Sequence, residues 1–157
     1  MKRIWYILVL LVMTKESFMM ANPSKPVPFL ALSAPRAWAV GDRAQYIMVT
    51  GKNWSNYYSK QPENADFAAS IYVVVSIGTR PNPGYRIRIV QISQEGARIQ
   101  VTVEQLNPDR GMMYPQVLVN PTAVAQVKKK DLQPNPGLDV EFVDQSGQHL
   151  ATFKLEL

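Results

Sequence analysis

A histidine-dependent triad or a zinc site needs imidazoles with partners, and this sequence has one histidine, His149, set between Gln148 and Leu150 beside a terminal turn. It reads as a surface-turn residue. The absence of cysteine removes thiolate metal sites, cysteine nucleophiles and disulfides together. No Gly-rich phosphate loop, nucleophile elbow or Ser-x-x-Lys pair occurs. Carboxylates remain: Glu95, Glu104, Asp109, Asp131 and Asp139 all fall in the strand-rich region, where a pair could carry out hydrolysis, yet nothing in their spacing brings two together. Asn53-Trp54-Ser55 matches a glycosylation acceptor, a common triplet to which no role is assigned. These residues point to a non-enzyme, with no cofactor and no metal.

The elements that would position them are mostly strands. Residues 71–77 form an unbroken apolar run rich in Val and Ile, too short for a lone helix and suited to a central strand buried on both faces. Residues 85–93 and 97–106 flank Gln94-Glu95-Gly96, which reads as a three-residue hairpin loop with Gly96 supplying the positive φ. Pairing Ser93 with Ala97 sets Ile89 opposite Val101 and Ile87 opposite Val103, with Arg88 against Thr102 and Arg86 against Glu104 on the other face. A two-residue loop would put Arg88 against Val103, so the first register is expected. Residues 107–115 read as a loop, and 116–119 and 122–129 as short strands broken at Asn120-Pro121. A terminal hairpin over 138–145 and 148–157, turned at Ser146-Gly147, pairs Phe142 with Ala151, Val140 with Phe153, Leu138 with Leu155 and Asp139 with Lys154. Nearer the N-terminus, residues 44–49 suit a short strand. Thr50 can cap a helix over 51–61 that packs Trp54, Tyr57 and Tyr58 on one face and stops before Pro62. The expected fold is mostly β (α+β): an antiparallel sheet or partly open barrel of about six to eight short strands, with one short helix near residues 51–61.

The 157 residues fit one domain, and at 46% hydrophobic the chain can bury a core without metals or disulfides. Met1-Lys2-Arg3 followed by ten apolar residues from Ile4 to Met13 and then Thr14-Lys15-Glu16 has the layout of a secretory signal. The run is too short to span a bilayer, although an uncleaved signal would tether the chain. Residues 1–21 are therefore expected to be a signal peptide. Residues 22–42, with Pro23, Pro26, Pro28 and Pro35, are expected to be a Pro-rich, strand-poor lead-in, and residues 43–157 a single β-rich domain ending in the 138–157 hairpin. The expected location is secreted or extracytoplasmic, in a periplasm or at a cell surface. The formal charge is +5, but removing the three basic residues and Glu16 of the first 21 leaves 14 basic and 11 acidic residues. The one basic run, Lys128-Lys129-Lys130, is followed at once by Asp131 and reads as a solvated strand end, so nucleic acid is not an expected partner.

Two segments stand out as surfaces. In Gly78-Thr79-Arg80-Pro81-Asn82-Pro83-Gly84-Tyr85 two prolines stiffen a connection between strong strands; the plain reading is a rigid turn, and the functional one a preorganised patch presenting Arg80, Pro81, Asn82, Gly84 and Tyr85. In Gly111-Met112-Met113-Tyr114-Pro115, adaptable Met112 and Met113 and the aromatic Tyr114 either fold back on the core or contact a partner.

Asn53-Trp54-x-x-Tyr57-Tyr58, Ala65-Asp66-Phe67, an apolar strand, Gly78-x-Arg80-Pro81-x-x-Gly84-Tyr85-x-Ile87, Val101-x-Val103-x-x-x-x-Pro108 and Asn120-Pro121 together resemble the C-terminal domain family of the protease-complex subunit PrcB, over roughly residues 43–130. The most specific part is the Gly-x-Arg-Pro-x-x-Gly-Tyr string. The resemblance implies a small, exported, noncatalytic domain, the family's named member being associated with the stability of a secreted protease. Asn82-Pro83 stands where a Thr-Gly-like pair is usual, and the 138–157 hairpin extends beyond the usual end. The expected function is an exported binding or accessory module that stabilises or docks onto another extracytoplasmic protein, a protease being the family's partner. A carboxylate-dependent cell-wall or glycan hydrolase and a self-assembling surface or filament protein are the alternatives, and the oligomeric state is left open.

Overall fold

The computed structural model describes residues 24–33 and 38–156. The expected signal segment, Pro23 and Pro35 lie outside the described residues. Nine strands are described: β1 (Lys25–Pro26), β2 (Leu30–Leu32), β3 (Ala44–Val49), β4 (Ser70–Ile77), β5 (Arg86–Glu95), β6 (Arg98–Leu106), β7 (Thr122–Lys128), β8 (Gly137–Asp144) and β9 (His149–Glu156). They form a five-stranded sheet ordered β1-β5-β6-β8-β9 and a four-stranded sheet ordered β2-β7-β4-β3. The fold is mostly β, as expected, with two sheets and no closed barrel. The lead-in is strand-poor but not loose. Its β1 lies along β5 and its β2 along β7, so one short stretch edges both sheets, and Val27 between them is buried.

β4 is buried at all eight positions because it has apolar material on both sides. Ile71, Val73 and Val75 point into the main core with Ile92, Val101, Val140 and Phe142 of the facing sheet, while Tyr72 and Val74 point the other way. That second face is covered by Trp38 and Phe67, with Trp54, Tyr57 and Tyr58 packed at its margin. The molecule therefore has three layers: two sheets and an aromatic cap.

The terminal hairpin has the expected register, with Phe142 opposite Ala151, Val140 opposite Phe153, Leu138 opposite Leu155 and Asp139 opposite Lys154. The β5–β6 hairpin does not. Its loop is the two-residue turn Gly96–Ala97, with Gly96 at φ +58, and Glu95 faces Arg98. The register then shifts between Ile89 and Gln91, so that Ile92 meets Val101, Ile89 meets Val103 and Arg88 meets Glu104, with which it is ion-paired; Arg86 lies opposite Leu106 instead. The cause is a bulge at Val90, which turns this residue outward and lets Ile89 and Ile92, three apart, both face the core. A further departure from the all-antiparallel expectation is that β6 and β8 are parallel, Val101 beside Phe142. The chain between them crosses through β7 of the other sheet, as a parallel neighbour requires a long connection.

The helix expected over residues 51–61 is a single 3₁₀ turn, Trp54–Asn56. Gly51, Asn53, Ser55 and Asn56 are weak helix formers, and the Asn53 and Thr50 side chains are used for local bonds. Asn53 Oδ1 accepts from the Thr50 amide at 2.7 Å and its Nδ2 donates to the Met48 carbonyl at 2.9 Å, while Thr50 Oγ1 accepts from the Lys52 amide. The strand expected over 116–119 is also missing. Pro115 and Pro121 bracket it, the Val117 amide turns back to the Pro115 carbonyl, and only Val119 makes a bridge, to Arg80.

Candidate docking surface

The loops after β4 and β6 arise far apart in sequence and meet. After Ile77 the chain turns at Gly78, whose φ of +74 and 2.8 Å approach of a Cβ to the Asp42 carbonyl allow no side chain. Arg80 then exchanges both backbone bonds with Val119, at 2.7 and 2.9 Å. The Asn82 carboxamide oxygen accepts from the Gly84 amide at 3.0 Å, closing a turn between Pro81 and Pro83. Gly84 is buried because Tyr114 and Pro108 lie directly on it; a Cβ there would sit 2.8 Å from the Pro108 Cβ and 2.9 Å from the Tyr114 ring. The Tyr114 hydroxyl accepts from the Asp109 amide at 3.2 Å and donates to the Asp109 carboxylate at 3.4 Å. Asn120 fixes the far end, its Oδ1 accepting from the Ser76 hydroxyl and its Nδ2 donating to the Gly41 carbonyl, each at 2.6 Å. The structure thus brings the two segments singled out in the sequence into one assembly.

Within it the expected residues divide. Pro81, Met112 and Met113 are exposed, Arg80, Asn82, Tyr85 and Tyr114 are half-buried, and Gly84 is buried. Arg80 does not project freely. Its guanidinium carbon lies 5.6 Å from the centre of the Tyr85 ring, and its Nε is buried with no partner among the described residues. Its charge also reaches Tyr46, whose phenol is nevertheless pushed up, by burial, against the Gln105 hydrogen bond and Arg80. The residues the sequence missed are Val117 and Leu118. Read only as part of a short strand over 116–119, they are 56% and 75% exposed, beside Met112 at 64% and Met113 at 98%. The prolines on either side of them were the available signal.

The carboxylates do not gather into a hydrolytic centre that the register reveals. Glu104 is spent on Arg88, and Asp139 sits in register between Arg98 and Lys154 in a row of alternating charge on the sheet face. His149 is exposed and hydrogen-bonded to Thr152 at 2.8 Å. Among the described residues no cluster of three His, Asp or Glu side chains could hold a metal, and no helix is long and apolar enough to cross a membrane.

These features define a small two-sheet β module whose distinctive surface is a pair of interlocked loops. Residues 71–128 match the PrcB C-terminal family, a protease-complex-associated domain. The match runs from β4 to the end of β7 and contains both loops whole. It is narrower than the resemblance over 43–130, since the Asn53-Trp54-x-x-Tyr57-Tyr58 and Ala65-Asp66-Phe67 strings fall outside it. No curated protein and no solved structure matches the chain significantly.

Proposed function

We propose that this chain is an exported, noncatalytic accessory module that docks onto another extracytoplasmic protein through the Arg80–Tyr85 and Met112–Leu118 loops. The observation that carries the reading is the concentration of Met112, Met113, Val117 and Leu118 on one loop, where four large apolar side chains stand in solvent within seven residues. Methionine, tyrosine and arginine are the residue types that interface centres favour, and Tyr85, Tyr114 and Arg80 border the patch. The loops are stiffened by Pro81, Pro83 and Pro115 and by the Tyr114–Gly84 contact, which lowers the entropy lost on association. The family match points to a protease as the partner class. Export rests on the basic and apolar layout of residues 1–21.

The test is crosslinking in the native organism, followed by capture of the tagged chain and mass spectrometry, with the wild type compared to a Met113→Lys/Leu118→Lys variant. The wild type should recover a defined exported partner, and the variant should weaken capture by about 2 kcal/mol or more while melting at the same temperature. Recovery of the chain alone, or undiminished capture by the folded variant, would overturn the reading.

A further inference from the structure

The Lys128-Lys129-Lys130 run, read from sequence as a solvated strand end, occupies a built position. β4 runs from the Ser70 end, where it faces Lys128, to the Ser76 end, where it faces Thr122 and leads into the docking loops. The lysines therefore lie at the opposite end of β4 from that surface. Three hollows of about 250, 400 and 750 Å³ follow one another there along the β7–β8 connection, and Lys130 lines all three. The first and second share Pro28 and Asp131; the second and third share Leu132 and Pro134. Together they make one groove.

Its lining is largely apolar, from exposed Leu30 beside β7 through buried Leu132 to exposed Pro136 near the end of β9. The wall is anchored. Buried Gln94 of β5 accepts from the Gln133 amide at 2.7 Å and donates to the Gln133 carbonyl at 3.1 Å, while the Gln133 side chain accepts from the Gly96 amide at 3.2 Å. Lys129 is held as well, its Nζ donating to the Phe67 carbonyl at 2.7 Å. The groove is consequently preformed, which lowers the ordering cost of binding. Lys25, Lys128 and Lys130 border it with no ion pair to any described carboxylate, against Asp131 and Glu156 on the acidic side.

We infer that this groove binds an extended acidic peptide segment in which carboxylates alternate with apolar side chains. Extended backbone sends successive side chains to opposite sides, so the apolar set can fill the three hollows while the carboxylates reach the lysines on the rim. A purely ionic polymer would leave the apolar lining unused, which is why a peptide fits better than a polyanion. This inference does not depend on the docking loops.

The probe is a fluorescein-labelled, end-blocked hexapeptide of alternating Glu and Leu, titrated with the purified protein and followed by fluorescence anisotropy. Saturable binding is expected, weakened about tenfold or more when Lys replaces Glu or Ser replaces Leu in the peptide. Lys130→Glu should weaken it by a similar factor at an unchanged melting temperature, and Lys128→Glu by about threefold. Equal competition by polyphosphate and tight binding of the Ser-containing peptide would reduce the groove to a bare basic patch and overturn the inference. So would absence of saturation, or indifference to Lys130→Glu. Docking at the Met113/Leu118 surface is read by the crosslinking experiment, so the failure of one leaves the other standing.

Discussion

Two aromatic-rich, non-strand regions of this protein use similar residues to opposite ends. Around residues 54–67, Trp54, Tyr57, Tyr58 and Phe67 fold onto the outer face of β3 and β4, where Trp38 lies 4.6 Å from the Tyr72 ring centre and makes edge contacts with Phe67 and Tyr58. Polar ends are satisfied inward: the Tyr58 hydroxyl donates to the Trp38 carbonyl and the Tyr72 hydroxyl accepts from the Asp66 amide. Around residues 80–85 and 107–119, Tyr85 and Tyr114 bind within their own loops, and Met112, Met113, Val117 and Leu118 stay outside. Composition does not separate the two. What separates them is a sheet face needing cover: Ile47, Val49, Tyr72 and Val74 present one beneath the first region, whereas the second leaves β6 and regains backbone pairing only at Val119.

The strongest way to break this contrast is to remove the keystone of the cap. Trp38→Ala should cost about 3–5 kcal/mol, because a ring packed against three others leaves a cavity that the rigid sheet cannot fill. Chemical denaturation measures it, and a loss under about 1 kcal/mol would show that the cap is an accessory to the fold and not a third layer. Gly84→Ala should follow at about 1–3 kcal/mol, since a methyl group cannot share space with Pro108 and Tyr114 unless the loops part. Faster amide exchange confined to residues 80–85 and 109–114 should accompany it. Unchanged exchange there would mean that the loops are not locked together.

How much of this was legible follows the same physics. The 138–157 hairpin was readable from Leu138 to Phe142, because Gly147 marks a tight turn and the apolar positions alternate over those pairs, but not next to the turn, where Val143 meets His149 and not Leu150. The β5–β6 register was not, because the loop was read as Gln94-Glu95-Gly96 where the turn is Gly96–Ala97, and because strict alternation was assumed across Val90, where the spacing of Ile89 and Ile92 was the sign of the bulge. β4 announced itself as central through its unbroken apolar run. The parallel β6–β8 contact had no local signal, since it depends on where β7 goes. Arg80, Gly84, Met112 and Tyr114 were all marked as one kind of residue, surface loop, but their joining rests on a close approach at Gly84 that only the fold displays.

The finest test compares one hydroxyl from each region. Tyr58→Phe removes a bond to the buried Trp38 carbonyl and should cost on the order of 1 kcal/mol at pH 7, whereas Tyr114→Phe, at an exposed turn, should stay within about 0.5 kcal/mol. The Tyr58 phenol also has a pH signature. Burial, aided by Tyr57, holds its pKa well above the ordinary value of 10.0. The unfolded chain therefore releases this proton first as pH rises past that value, so the stabilisation is present in full below it and is lost progressively toward the higher folded pKa. Denaturation midpoints measured across the alkaline range should fall less steeply in Tyr58→Phe than in the parent, while Tyr58 ionisation should appear late in an ultraviolet titration. A parent and variant with the same alkaline slope would show that the Tyr58 ring is not sealed by Trp38, and the contrast between cap and loops would lose its sharpest edge.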